Sequence, residues 1–229
     1  MSRATTIHID LSVISDNIAA LRAPLSNQKL LAVLKANAYG HGAVPVAQHI
    51  EAMVDALAVA YTEEAVILRD AGIKAPILVL EGPHDASDLA LIAKLDLWPV
   101  LHQEEQLQWC KAQAAHLPHV WIKLDTGMHR LGFAPDQIGP VRQQLLEMGI
   151  ASVTAMSHLA SAEDPDSPLT QAHLASWSHH TGFLDAPTSL HNSAATRSSL
   201  PARSDWMRVG YALYGGQVQG LAADPKIKA

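Results

Sequence analysis

Five places in this 229-residue chain set an ionisable or hydrogen-bonding side chain at the end of a short apolar run. Lys35 follows the run at 30–34, and Lys123 lies in the run at 120–124 ahead of Asp125 and Arg130. Ser157 and His158 follow 151–156, His191, Asn192 and Ser193 follow 189–190, and Arg208 lies in 206–209 just before Gly210 and Tyr211. An ammonium at the end of an apolar strand must be paired or give up its proton. A lysine that gives it up can attack a carbonyl and form a Schiff base. Ser193 precedes two helix-forming alanines, and Gly210 has no side chain to keep an anion from backbone N–H groups, so both suit a phosphate.

The elements that must carry these residues alternate. Apolar runs recur at 30–34, 56–60, 77–80, 97–101, 120–124, 151–156, 189–190 and 206–209. Between them lie helical patterns, clearest at 62–71 closed by Gly72, 103–116, and 135–148 closed by Gly149. The runs are too uniformly apolar for a half-exposed antiparallel sheet and read as buried parallel strands. Eight strand and helix units predict an α/β fold of the (β/α)8 TIM-barrel type, drawn as one domain over residues 1–229. In such a barrel function sits at the C-terminal strand ends, where the five polar sites fall. Residues 5–9 predict an extra N-terminal strand outside the eight, followed by a helix capped by Asp10, with Leu11, Ile14, Ile18 and Leu21 on one face.

Composition narrows the partners. With 48% hydrophobic and 17% charged residues the chain is globular rather than fibrous or disordered. Net charge is −6, and 16 Lys and Arg are spread without runs, so a small-molecule ligand is expected and neither nucleic acid nor a membrane. The lone Cys110, the absence of a leader-like apolar segment and the lack of a long apolar stretch predict a cytoplasmic protein. Thirteen histidines raise the alternative of a metal-dependent hydrolase, but they fall mostly on helices and loops without ligand spacing, and no metal is expected.

A Schiff-base lysine and a phosphate cradle in one barrel mouth point to pyridoxal 5′-phosphate, its imine on Lys35, its phosphate near Ser193 and Gly210, and Arg208 near its ring. The segments Lys35-Ala-Asn-Ala-Tyr-Gly-His-Gly42 and Lys123-Leu-Asp-Thr-Gly-Met-His-Arg-Leu-Gly132 resemble the two signatures of the alanine racemase family. Ser157-His158, Asn192-Ser193 and Arg208-Val-Gly-Tyr-Ala-Leu-Tyr-Gly215 match further blocks in the same order. The resemblance implies interconversion of L- and D-alanine, with Lys35 holding the cofactor and acting as a base. It implies Tyr39, Ser193 and the backbone N–H groups of Gly210 and Tyr211 on the phosphate, His158 beside the ring, Asn192 in the cofactor site and Arg208 facing the pyridine nitrogen. It places Arg130 on the substrate carboxylate and makes Lys123 a carbamylation site.

A guanidinium on the pyridine nitrogen leaves it unprotonated, which limits delocalisation into the ring and favours racemisation over transamination. Racemisation also needs a base on each face of the substrate. In the family the second base is a tyrosine of a C-terminal domain from the partner subunit of a homodimer, and Tyr39, Tyr61, Tyr211 and Tyr214 match no such context. The chain is therefore expected to be a truncated racemase barrel with weak activity or none. The alternative is a stand-alone pyridoxal-phosphate-binding barrel of the homeostasis type, which racemises nothing.

Overall fold

The computed structural model describes residues 6–113, 116–117, 119–198, 200–217 and 226–229. Its strands are β1 (Lys29–Val33), β2 (Ala56–Val59), β3 (Ile77–Val79), β4 (Trp98–Leu101), β5 (Val120–Lys123), β6 (Val153–Met156), β7 (Thr188–Ser189) and β8 (Trp206–Val209). All pair in parallel in the order β7-β6-β5-β4-β3-β2-β1-β8. Each of the eight apolar runs holds or overlaps one strand, which makes the fold a (β/α)8 barrel. Among the described residues no helix is long and apolar enough to cross a membrane.

One helix, α1 (Leu11–Arg22), precedes β1, and the others fall between the strands: the short turn α2 (Lys35–Tyr39), α3 (Ala43–Ile50), α4 (Thr62–Asp70), α5 (Ala86–Lys94), α6 (Glu104–Gln113), α7 (Ile138–Glu147), α8 (Pro168–Thr181) and α9 (Ser193–Ser198). As the sequence predicts, α1 begins where the Asp10 carboxylate accepts the Ser12 N–H at 2.9 Å, and it buries Ile14, Ile18 and Leu21. The pattern at 135–148 divides into a 3-10 turn over Pro135–Gln137 and α7, because the proline sits at the first position of the turn.

Two cores follow from the strands' period of two. Leu31, Val33, Ala56, Ala58, Leu78, Val100, Trp121, Met156 and Trp206 fill the barrel, while Leu30, Ala32, Leu57, Val59, Ile77, Val79 and Ile122 face the helices. Trp121 and Trp206 approach to 5.6 Å between ring centroids, Trp98 packs edge-on to Trp206 at 5.7 Å, and His119 lies 4.5 Å from Trp98. These rings floor the N-terminal end, with the Lys29 ammonium 4.9 Å over Trp206.

Closure is uneven. β8 and β1 share a ladder with Leu31 opposite Arg208, whereas β7 is two residues long. The β7–β8 seam is joined by Asp205 N–H to Thr188 O at 2.8 Å, Arg208 N–H to His191 O at 3.0 Å and the Ser189 hydroxyl to Trp206 O at 2.9 Å.

The expected strand at 5–9 is not found. Residues 6–9 are exposed and unpaired in any ladder, Ile7 retaining 84% of its accessible surface, and Thr5 lies outside the described residues. β1, the first strand of the barrel, pairs with β2 on one side and β8 on the other, and residues 6–9 add to neither side.

Candidate functional site

Inward-facing positions continue past the apolar core into the mouth. On β5 Lys123 follows Trp121, on β8 Arg208 follows Trp206, after β6 His158 follows Met156, and after β1 Lys35 follows Val33, each two residues on. The strand period thus turns core positions into site positions without a change of direction. The result is a cavity of about 580 Å³ at the C-terminal end, lined by the ten residues given roles above, Lys35, Tyr39, Lys123, Arg130, His158, Asn192, Ser193, Arg208, Gly210 and Tyr211, but not by Asp125, Ser157 or His191.

Lys35 and Tyr39 reach it through an unusual backbone. Ala36, Asn37, Ala38 and Tyr39 all have φ between 52° and 55°, a left-handed helical turn without a glycine. Such a conformation costs roughly 1–2 kcal/mol per residue. Within the turn Ala38 N–H reaches Leu34 O at 2.8 Å and Gly40 N–H reaches Ala36 O at 3.0 Å, while the Asn37 side chain accepts Ala43 N–H at 2.8 Å.

Opposite, the N–H groups of Gly210 and Ala212 both point at the Ser193 hydroxyl, each at 3.2 Å. A Cβ on Gly210 would stand 2.7 Å from the Tyr39 hydroxyl oxygen, so a side chain there would push the Tyr39 ring from its place. The Ala212 N–H was not foreseen, and the sequence carries no signal for it. Asn192 lines the same wall, with its carboxamide oxygen capping α9 through Ala195 N–H at 3.0 Å.

Arg208 is 4% exposed. Its guanidinium donates to Ser189 O at 2.9 Å, to the Ser189 hydroxyl, and to Ser157 O at 2.7 Å, and it faces His158 Nδ1 at 3.4 Å. Burial pushes its pKa down to about 10, which leaves it a cation. Burial and the surrounding Arg208, Arg130, Lys123 and Lys35 push His158 down to about 3, so this ring is neutral. Burial and then Arg130 and Arg208 bring Lys123 to about 8, against the opposing pull of Glu81 and Asp125.

Arg130 stands exposed on the rim, at the end of a loop tied by Asp125, whose carboxylate accepts Gly127 N–H at 3.0 Å and His129 N–H at 2.9 Å. Burial works to raise the Asp125 pKa, but those two amide donors together with the His129 side chain prevail and the carboxyl is lowered. Glu81, the carboxylate on the cavity wall, went unforeseen. It directly follows the run at 77–80, but Glu81-Gly82-Pro83 reads as a turn rather than a strand end.

A parallel barrel whose C-terminal mouth gathers two lysines, two arginines and inward hydroxyl and amide donors defines a class: barrels that hold a small anionic ligand at the strand ends. Residues 9–218 match the family model "Alanine racemase, N-terminal domain", and the chain belongs to this family. It is 46% identical over 209 residues to an alanine racemase of Pseudomonas taetrolens, covering 90% of this chain and 58% of the relative. To one of Alteromonas mediterranea it is 39% identical over 219 residues, covering 95% and 61%. Among solved structures, the biosynthetic alanine racemase of Pseudomonas aeruginosa superimposes with a TM-score of 0.85 at 38% identity, over 94% of this chain and 61% of that one. The chain spans about 60% of the length of these relatives.

Proposed function

We propose that the chain binds pyridoxal 5′-phosphate through Lys35 and forms the barrel part of a racemase acting on alanine. What carries this reading is the convergence of ten residues, drawn from β1, β5, β6, β7 and β8 and the loops after them, on one cavity. The residues present fit the group: Ser193, Tyr39 and the Gly210 and Ala212 N–H groups form a donor set for a phosphate, and glycine at 210 keeps a side chain from pressing on Tyr39.

When bound through Lys35, the cofactor supplies an electron sink beside the substrate's α-carbon. The protein's own residues do the rest. Lys35 holds the cofactor and moves the α-proton on its side. Arg208, fixed in direction by Ser157 and Ser189, would present a donor to the pyridine nitrogen and keep a proton off it. Neutral His158 would lie beside the ring, and Asn192 holds the start of α9 so that Ser193 stays in place.

Arg130 offers a two-pronged donor to the substrate carboxylate. Lys123, with a pKa near 8, has a usable neutral fraction at neutral pH. Its amine can add to carbon dioxide and lose a proton to give a carbamate, whose negative charge would hold Arg130. Because a stereocentre is inverted only with proton transfer on both faces and Lys35 serves one, weak turnover or none is expected of this chain. A homodimer is expected of the full-length family, and a cytoplasmic setting belongs to the same reading.

Titration of the purified chain with pyridoxal 5′-phosphate tests it. The visible absorption band of the lysine-bound cofactor is expected in the wild type and absent in Lys35→Ala. D-alanine formation from L-alanine is the second measurement: binding without turnover reduces the chain to a cofactor-holding barrel, and turnover at a full-length racemase's rate would sink the one-sided assignment.

A further inference from the structure

The ends of β1 and β2 part in a way the ladder alone does not explain. Their last shared rung runs from Leu34 N–H to Ala58 O at 2.7 Å. In a parallel pair the next rungs would be Ala60 N–H to Leu34 O and Ala36 N–H to Ala60 O. Neither forms, because Leu34 O is taken by Ala38 N–H of the left-handed turn and Ala60 O by Glu81 N–H of the β3 side. Both orphaned N–H groups go to one carboxylate. Glu64 Oε1 accepts Ala36 N–H at 2.7 Å, and Oε2 accepts Ala60 N–H at 2.7 Å and Tyr61 N–H at 3.4 Å.

We propose that Glu64 is a positioning residue for the cavity: its carboxylate stands in for the missing rungs between β1 and β2, holds α2 in its left-handed turn, and so aims Lys35 and Tyr39 into the mouth. Four non-glycine residues in left-handed geometry persist only where surrounding bonds outweigh the strain. Ala36 is the first of the four, and its N–H is fixed from outside the turn by Glu64 alone among the described residues. The carboxylate is also required chemically. Two N–H donors on opposite oxygens need two acceptors, and a glutamine would turn an NH₂ toward one of them.

The inference rests on the cofactor reading for its consequence but not for its geometry. Two measurements on the full chain therefore test it, one without the cofactor and one with it. In Glu64→Gln the amides of Ala36 and Ala60 should exchange with solvent faster in the unloaded protein. The dissociation constant for pyridoxal 5′-phosphate should rise roughly 10- to 100-fold, the loss of one or two hydrogen bonds to a charged group. Adding Ala36→Gly, which removes the left-handed cost at an exposed position, should recover part of that affinity.

Glu64 also sits in the first turn of α4 and bonds the Tyr61 N–H there, so a purely helix-capping role must be separated. Such a role predicts a lower melting temperature and faster exchange within α4, with wild-type exchange at Ala36 and wild-type affinity; that pattern overturns the proposal. A double variant binding as weakly as Glu64→Gln would overturn it too. A wild-type chain that binds no cofactor would refute the function above, while the Ala36 exchange rate would still decide the role of Glu64.

Discussion

The two ends of the barrel are built from the same strands on opposite terms. At the floor, inward positions hold Trp98, Trp121 and Trp206, buried or half-buried, packed at ring distances below 6 Å. At the mouth, two residues further along the same strands, Lys123 and Arg208 occupy equivalent inward positions with their charges held against burial. The floor is apolar area removed from water, which stabilises the fold. The mouth is cation on cation, which opposes it. A step of two residues along a strand separates the part that keeps the barrel folded from the part suited to an anion.

The largest contrast lies in truncating the floor. Trp121→Ala should lower unfolding free energy in urea by about 3–5 kcal/mol through the cavity it leaves, without weakening cofactor affinity in the folded protein. An equal loss of affinity would erase the distinction between the ends.

Acid is where the ends should behave alike. His158 at the mouth, His119 at the floor and His191 behind β7 have pKa values pushed by burial to about 3, 4 and 4 from 6.5. The unfolded chain binds these protons first, so stability is intact above pH 6.5 and falls as pH drops from there toward about 4. Each histidine steepens that limb by up to roughly 1.4 kcal/mol per pH unit. His158→Gln and His119→Gln should each make the denaturation midpoint less steep in pH; an unchanged slope in both would contradict neutral burial.

Removing a cation from the mouth should stabilise. Lys123 titrates at about 8 folded against 10.5 in its ordinary state. Between those values the unfolded chain holds more protons, so stability rises with pH across the window and the penalty is fully present below pH 8. In protein kept free of carbon dioxide, so that the amine is unmodified, Lys123→Met should therefore gain about 1–3 kcal/mol at pH 7, shrinking toward zero by pH 10.5, as read by urea unfolding at both pH values. A destabilised variant at pH 7 would show that this ammonium is well paired.

Gly210→Ala should have the smallest effect on folding, about 1 kcal/mol as Tyr39 shifts from the new methyl group. Its mark should instead be weaker phosphate binding, checked by titrating the chain with inorganic phosphate and with pyridoxal 5′-phosphate.

The same contrast explains what the sequence discloses. Strands betray themselves because their apolar runs are buried on both faces, and site residues because a charge ending such a run has no packing reason to be there. Lys35, Lys123, His158 and Arg208 share that signal. The left-handed turn carries none, since Ala36, Asn37, Ala38 and Tyr39 include no glycine and its support comes from Glu64, 28 residues from Ala36. By itself Glu64 reads as an ordinary acid in the first turn of a helix. The strand expected at 5–9 has suitable residues, but residues 6–9 join none of the eight strands, which the residue types alone do not reveal. The histidine count is partly explained: His119, His173 and His191 are buried, and His158 faces the cavity.

Arg208 also has a mechanical part. With β7 only two residues long, its guanidinium spans the seam from β8 to Ser189 and on to Ser157. It works as a clasp on an otherwise continuous hoop. A ligand that engages Arg208 from the mouth tightens or slackens the hoop itself, so occupancy and the resistance of the seam to opening are linked. Amide exchange at Thr188, Asp205 and Arg208, backbone donors that cross the seam, then reports ligand binding from outside the cavity.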